Sequence, residues 1–445
     1  MTKFHISILA FLSSMILSAY DTHSDFPPAD VIFNLGKILT VDAAFRIQSC
    51  MAIRGDRILA VGNPRDMDAY KGEKTQIVDL KGKTILPGLI DSHTHPAAAC
   101  MTEYDHPIPS MESIPDILDY IKERIAAQKA GEWVWISQVF LTRLQEERYP
   151  TRQELDSVSP HNPVVFQTGP DASINTLALQ LSGIDANWKV DDGGPGYAEK
   201  DRQTGEPTGI LRSCTRYIKY QSPEREIPAD VHRNRLRELF SDYNRVGVTG
   251  IGERDADSGE IALYESLLQN DELTVRAYLS RHVDTIQPVE AIRQAIREIA
   301  YSPYHRGNSW LRVGCAKVYL DGGMLTGSAF MREPWGVSQL YNITDPTYRG
   351  LQFIPEEKLI AILETCMEND VQFNAHSVGD GAVHAIIDGC ESLKSRFDIR
   401  EKRPVICHSN FMSEEAVRRV AEMGICMDIQ PPWLYLDGRT LTHHF

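Results

Sequence analysis

Asp91-Ser92-His93-Thr94-His95-Pro96 sets two imidazoles two positions apart at the end of an apolar run over 84–90. Alternate side chains of a strand share a face, so His93 and His95 can both ligate one metal ion. Three further polar residues close later apolar runs. Lys317 lies inside 313–320, where a lysine is costly unless its charge is neutralised or used. His376 follows Gln372-Phe373-Asn374-Ala375, and His408 follows Val405-Ile406-Cys407. Each alone is as well explained by a hydrogen-bonded core residue. Their recurrence at the ends of successive strands points instead to one shared metal site. His5, His23, His106, His161, His232, His282 and His305 lack that context. His384, on the helix expected after His376, is assigned to packing, and His443-His444 to the terminus.

The elements that must position these residues follow a pattern. From 28 to 83, short β-rich runs punctuated by Gly36, Asp42, Gly55 and Gly62 predict a small antiparallel β domain of sandwich type. Residues 84–91 read as a buried strand. Beyond it, strand-like runs at 248–251, 275–280, 313–320, 371–375, 404–407 and 425–429 alternate with helical stretches at 229–246, 288–300, 355–369 and 413–423. Repeated β-then-α units predict an α/β fold, a (β/α)8 barrel of the TIM type, over 84–445. Chemistry in such barrels gathers at the carboxyl ends of the strands, where the five candidates fall. A long insertion at about 100–246, rich in glycine and aspartate over 191–205, reads as a lid or substrate-binding elaboration.

The bulk numbers agree with a globular enzyme. The chain has 445 residues and a formal net charge of −15, which argues against nucleic acid as a partner. Lys3, an apolar run over 6–17, and then Ser18 and Ala19 have the order of a signal peptide over 1–19. Export to the periplasm or the outside follows, with membrane association left open and no transmembrane span expected in the mature chain. The eight cysteines include no C-x-x-C pair, which argues against a thiolate metal site. Most are expected to be small apolar fillers.

Leu86-Pro87-Gly88-Leu89-Ile90-Asp91-Ser92-His93-Thr94-His95 resembles the first barrel strand of the amidohydrolase superfamily. The stretches Pro150–Asp156, Gly205–Arg212, Lys317–Gly322 and His376–Asp380 resemble, more narrowly, the family-3 branch that includes N-substituted formamide deformylase. The resemblance runs over about residues 28 to 435. It implies that His93, His95, His376 and His408 bind divalent metal, usually zinc, as one or two ions. It also implies that Lys317, on strand four, becomes carboxylated and bridges two ions. Bound zinc can lower the pKa of water to about 7 and polarise a carbonyl, so the implied activity is hydrolysis of non-peptide amide or related C–N bonds in a small molecule. Asn175, Asp321 and Arg212 are weaker candidates for contact with substrate.

This sequence departs from that pattern in three places. The aspartate that ends strand eight and handles the proton is absent, so the expectation is a chain truncated before strand eight, with an incomplete small β domain and little turnover. Gly169-Pro170 stands where relatives have Gly-His. Cys407-His408 stands where they have Glu-His, and strand alternation should turn Cys407 away from the metal. Competing readings are a degenerate paralogue that binds metal without catalysis, and deamination or lactone hydrolysis on the same ligands. Oligomeric state, including a homo-oligomer, is not specified by the sequence.

Overall fold

The computed structural model describes residues 26–137, 139–221 and 227–444. The signal-peptide assignment therefore lies outside the described residues. The chain divides into two compact units, Met1–Gly88 and Leu89–Phe445.

In the first unit the strands Arg57–Gly62, Cys50–Arg54, Val31–Asn34 and Gln76–Asp79 form a four-stranded sheet in that order. A three-stranded sheet joins Ile47–Gln48, Lys37–Leu39 and Thr84–Ile85. Pairing is mixed rather than antiparallel throughout, because Val31–Asn34 runs parallel to Gln76–Asp79 and Lys37–Leu39 parallel to Thr84–Ile85. The expected single strand over 84–91 is split at Pro87-Gly88. Its first half pairs within the small unit, which moves the boundary from 83 to 88.

The second unit is built on seven parallel strands: β1 (Leu89–Thr94), β2 (Val248–Ala256), β3 (Arg276–His282), β4 (Leu311–Tyr319), β5 (Gln372–Ser377), β6 (Val405–His408) and β7 (Cys426–Asp428). They lie side by side in chain order, so each connection is a crossover to the neighbouring strand. The sheet curls until its two edge strands meet through side chains, with Ser92 Oγ of β1 donating to Asp428 Oδ1 of β7 at 2.6 Å. The expected β/α alternation is present, and seven strands of the barrel type are seen among the described residues.

Apolar side chains on the outer face of this sheet pack under the crossover helices. Ala316 and Val318 of β4, Ala375 of β5 and Ile406 of β6 share one core with α3 (Val289–Tyr301), α4 (Glu356–Glu368), α5 (Asp380–Leu393) and α6 (Glu414–Met423). Around β1 to β3 a second core gathers Ile251, Ala277 and Leu279 with Leu236 and Phe240 of α1 (Ala229–Arg245) and Tyr264 and Leu267 of α2 (Ser258–Gln269). Local sequence sets the helix ends. Asp257 and Glu260 make a reciprocal capping box at the start of α2, and Gly424 closes α6 in the left-handed region, which glycine adopts without strain. In contrast to the buried strand expected from its apolar residues, β1 exposes Leu89 and Ile90, because it is paired on one side only.

The long insertion is a folded structure. Five strands in the order Tyr197–Lys200, Pro207–Arg212, Asp171–Ile174, Val164–Thr168 and Val134–Ile136 form a sheet with apolar clusters on both faces. The helix α7 (Pro431–His444) docks against the insertion. Its buried Asp437 receives two hydrogen bonds from Arg143, at 3.0 and 2.7 Å, and one from Thr142 at 2.8 Å. Among the described residues no helix is long and apolar enough to cross a membrane.

Asn175 belongs to this framework. Its Oδ1 accepts from Val164 N and Ala178 N, capping the helix Thr176–Ser182, while Nδ2 donates to the carbonyls of Ser159 and Asn162. No donor is left for a substrate. Replacing it (Asn175→Ala) removes four hydrogen bonds and leaves Val164 N, Ala178 N and the Ser159 carbonyl without their side-chain partner, which should cost about 2 kcal/mol or more of stability. Denaturant unfolding measures that loss, and metal content should be unchanged.

Candidate metal centre

The structure gathers the four histidines at the carboxyl end of the sheet. His93 and His95 leave β1 with ring centroids 5.3 Å apart, edge to face. His408, ending β6, stands 4.7 Å from His93 and 4.5 Å from His376, which is on β5. Lys317 of β4 is fully buried among them, and its charge opposes protonation of His93, His376 and His408. Its Nζ lies over the Tyr319 ring at 5.2 Å, and that ring packs against His376.

Burial keeps His93, His376 and His408 neutral. It pushes His376 down to about 3, with Lys317 as the next cause, and drives His408 well below the ordinary histidine range, with His376 as the next cause. His93 is lowered by burial despite a partly opposing carboxylate at Asp428. Neutral imidazoles are the form that binds metal.

Cys407 does not turn away. The inward face of β4 to β6 carries Lys317, Asn374 and Cys407, and the Cys407 thiol donates to Asn374 Oδ1 at 2.7 Å. His408 also reaches the interior because its backbone enters the left-handed region (φ 81°), which ends the strand alternation that the sequence argument assumed. One ligand atom each from His93, Cys407 and Asp428 lies within 4.8 Å of the other two.

A ring of carboxylates and amides orients this cluster. Glu253 Oε1 of β2 is 3.1 Å from His95 Nδ1 and is itself held by Tyr264 at 3.3 Å. Gln430 Oε1 meets His408 Nδ1 at 2.6 Å, and Trp433 of α7 stacks on the same imidazole at 4.9 Å. Asp428 takes Ser92 and, at 3.0 Å, Arg254 Nε. Burial raises its carboxyl, but His93, Ser92 and Arg254 together hold it below the ordinary range.

Asp321, a candidate for substrate contact, serves the backbone instead. It accepts from Phe330 N, Val378 N and Gly379 N at 2.8–2.9 Å and so ties the end of β4 to the turn after His376. Gly379 is required there, since a Cβ would lie 2.0 Å from the Phe330 carbonyl oxygen. Arg212 is likewise structural. It is buried against Asp171, Glu199 and the Tyr149 hydroxyl in the insertion sheet, and donates to the carbonyls of Thr326 and Tyr341.

Sequence reasoning missed one pair beside the cluster. β3 runs on to His282, two residues past its expected end. His282 Nδ1 meets Asp255 Oδ1 at 2.8 Å, while Tyr319 donates to the other Asp255 oxygen at 2.8 Å. The hydrogen bond that His282 donates to Asp255 raises it above its ordinary value. His282 and Tyr319 line a cavity of about 340 Å³ with Pro170, Ser213, Arg216 and Phe353. The detectable signal was Glu253-Arg254-Asp255, three charges in a row inside an apolar strand.

Comparison with known proteins covers most of the chain. The model of the family described as "Amidohydrolase family" matches residues 76–445. Protein LONG AFTER FAR-RED 3 of Arabidopsis thaliana is 26% identical over 93% of this chain and 70% of its own length. N-substituted formamide deformylase of Arthrobacter pascens is 23% identical over 90% of this chain and 73% of its own length. An uncharacterized metal-dependent hydrolase from Pyrococcus furiosus has a similar fold, with a TM-score of 0.59 and 19% identity over 92% of this chain and 78% of that one.

The residues present fit a divalent cation. His93 Nδ1 is buried and has no hydrogen-bond partner, since Asp428 Oδ2 at 3.2 Å is out of line for one. Facing imidazoles, three of them kept neutral by burial, with a second nitrogen held by Glu253 at His95, by the Gly322 carbonyl at His376 and by Gln430 at His408, are a donor set that zinc takes. The same burial has a pH signature. The unfolded chain protonates these histidines near 6.5 while the folded chain refuses the proton, so the metal-free protein is fully stabilised above that pH and loses stability as pH falls toward about 3. Urea unfolding of chelator-treated protein at about pH 7 and about pH 5 measures the decline, and His376→Gln should flatten it.

Proposed function

The chain belongs to the amidohydrolase family, and from that premise we propose a metal-dependent hydrolase of non-peptide amide or related C–N bonds that uses water as nucleophile. The observation that carries this reading is the convergence of four histidines, three of them kept neutral by burial, and a buried lysine at the carboxyl ends of barrel strands. His93, His95, His376 and His408 are the proposed ligands for zinc, as one or two ions, with Lys317 bridging when carboxylated. The bound cation would supply Lewis acidity and a lowered water pKa. Export, inferred from residues 1–19, belongs to the same proposal.

The remaining work falls to the chain's own groups. Glu253 and Gln430 fix the orientation of His95 and His408. The cavity of about 340 Å³ beside Tyr319 has the size of a small-molecule site. His282 stands in its wall, held by Asp255 and biased toward its protonated form, which suits it to hold a proton for a departing amine. N-substituted formamides are the first substrates to try, because the Arthrobacter pascens relative is named for them.

Turnover of such amides should vanish on chelation and return with zinc. Loss of the proton donor (His282→Gln) should lower kcat by about 100-fold or more with metal content unchanged. Because Asp255 raises His282, kcat should fall as pH rises through the His282 value, and Asp255→Asn should move that limb to lower pH. Stoichiometric zinc without turnover on amides, lactones or deaminase substrates would favour a metal-binding protein without catalysis.

A further inference from the structure

Seven of the eight cysteines are buried, and all are free thiols. Cys366 and Cys390 illustrate the ordinary case: both lie in the apolar core under α4 and α5, where a thiol acts as a small apolar filler. Cys407 is placed differently. Its neighbours are polar, with Asn374 Oδ1 at 2.7 Å, Asp428 Oδ2 at 3.9 Å and Lys317 beside it.

From these positions we infer that Cys407 is a metal ligand, its thiolate completing a nitrogen–sulfur–oxygen set with His93 and Asp428. Two observations carry this independently. The three donor atoms lie within 4.8 Å of one another, close enough to converge on one ion. His93 Nδ1, on a side chain 7% exposed, points into the same space without a hydrogen-bond partner. Asp428 Oδ2, 3.2 Å away, takes no hydrogen bond from it, and with two hydrogen bonds from Ser92 and Arg254 the carboxylate keeps lone pairs for an ion.

The donor types define the ion. A thiolate with an imidazole selects borderline-soft cations such as zinc or cobalt over magnesium, calcium or manganese, which prefer oxygen. Ligation replaces the S–H bond by a sulfur–metal bond and releases one proton to solvent for each ion bound. Arg254 flanks the site, and its charge favours the thiolate. The inference rests on the metal centre proposed above, to which it adds a sulfur ligand.

The test uses the full chain. X-ray absorption at the zinc edge of the zinc-loaded protein should show a sulfur scatterer at about 2.3 Å beside the nitrogen and oxygen shell. The cobalt-loaded protein should show a near-ultraviolet sulfur-to-cobalt charge-transfer band. Cys407→Ser should abolish that band while the visible cobalt bands and most bound cobalt persist, and Cys426→Ser should leave it intact. Bound metal with only nitrogen and oxygen neighbours, or a charge-transfer band that survives Cys407→Ser, overturns the role of Cys407 and leaves the histidine centre standing. Failure to bind zinc or cobalt at all overturns both. The zinc-edge spectrum needs no variant, so misfolding of Cys407→Ser would not rescue the inference.

Discussion

Burial of Lys317 in the barrel wall is the constraint around which the site is arranged. Uncarboxylated, the lysine adds its charge to burial in disfavouring protonation of His93, His376 and His408. The imidazoles answer by staying neutral, and a set of neutral imidazoles facing one another is stable only if something accepts their lone pairs. The Glu253 carboxylate and the Gln430 amide oxygen can only accept, so they take an N–H of His95 and of His408 and leave the other nitrogen of each ring with its lone pair. His93 Nδ1 has no hydrogen-bond partner. A cation is what the remaining lone pairs can share.

The fold supplies the precision. Lys317, His376 and His408 sit near the ends of parallel strands β4, β5 and β6, whose outer faces are packed under helices, so their inward neighbours inherit positions from the packed core. Polar ties then join the strand ends to one another. Asp321 fastens β4 to the turn beyond β5, Asp428 joins β7 to β1 and β2, and Asp255 joins β2 to β3 and β4. Over this layer α7 brings Trp433 onto His408 and anchors itself to the insertion through Asp437. The insertion sheet and the barrel mouth are thereby built as one environment around the cluster.

What was legible in the sequence follows from what strand periodicity encodes. Apolar runs with polar ends located all seven strands within a few residues, and with them His93, His95, Lys317, His376 and His408. Periodicity says nothing about where a strand stops alternating, so the left-handed turn at His408, and with it the inward placement of Cys407, stayed hidden. His282 was passed over for the same reason, since β3 extends two residues beyond its apolar run. Asn175 and Arg212 are site candidates through the stretches that resemble the family. Their roles are decided by long-range partners, such as Asn162 for one and Glu199 for the other, that no local pattern announces.

The most direct measurement is an anomalous difference map, recorded at the zinc absorption edge from crystals of zinc-loaded protein. The predicted result is a peak inside the histidine cluster, at about 2.0–2.1 Å from imidazole nitrogens of the His93, His95, His376 and His408 set. A map in which zinc lies only at the surface, or in which the cluster carries no peak at full zinc occupancy elsewhere, would contradict the assignment of these residues as a metal centre.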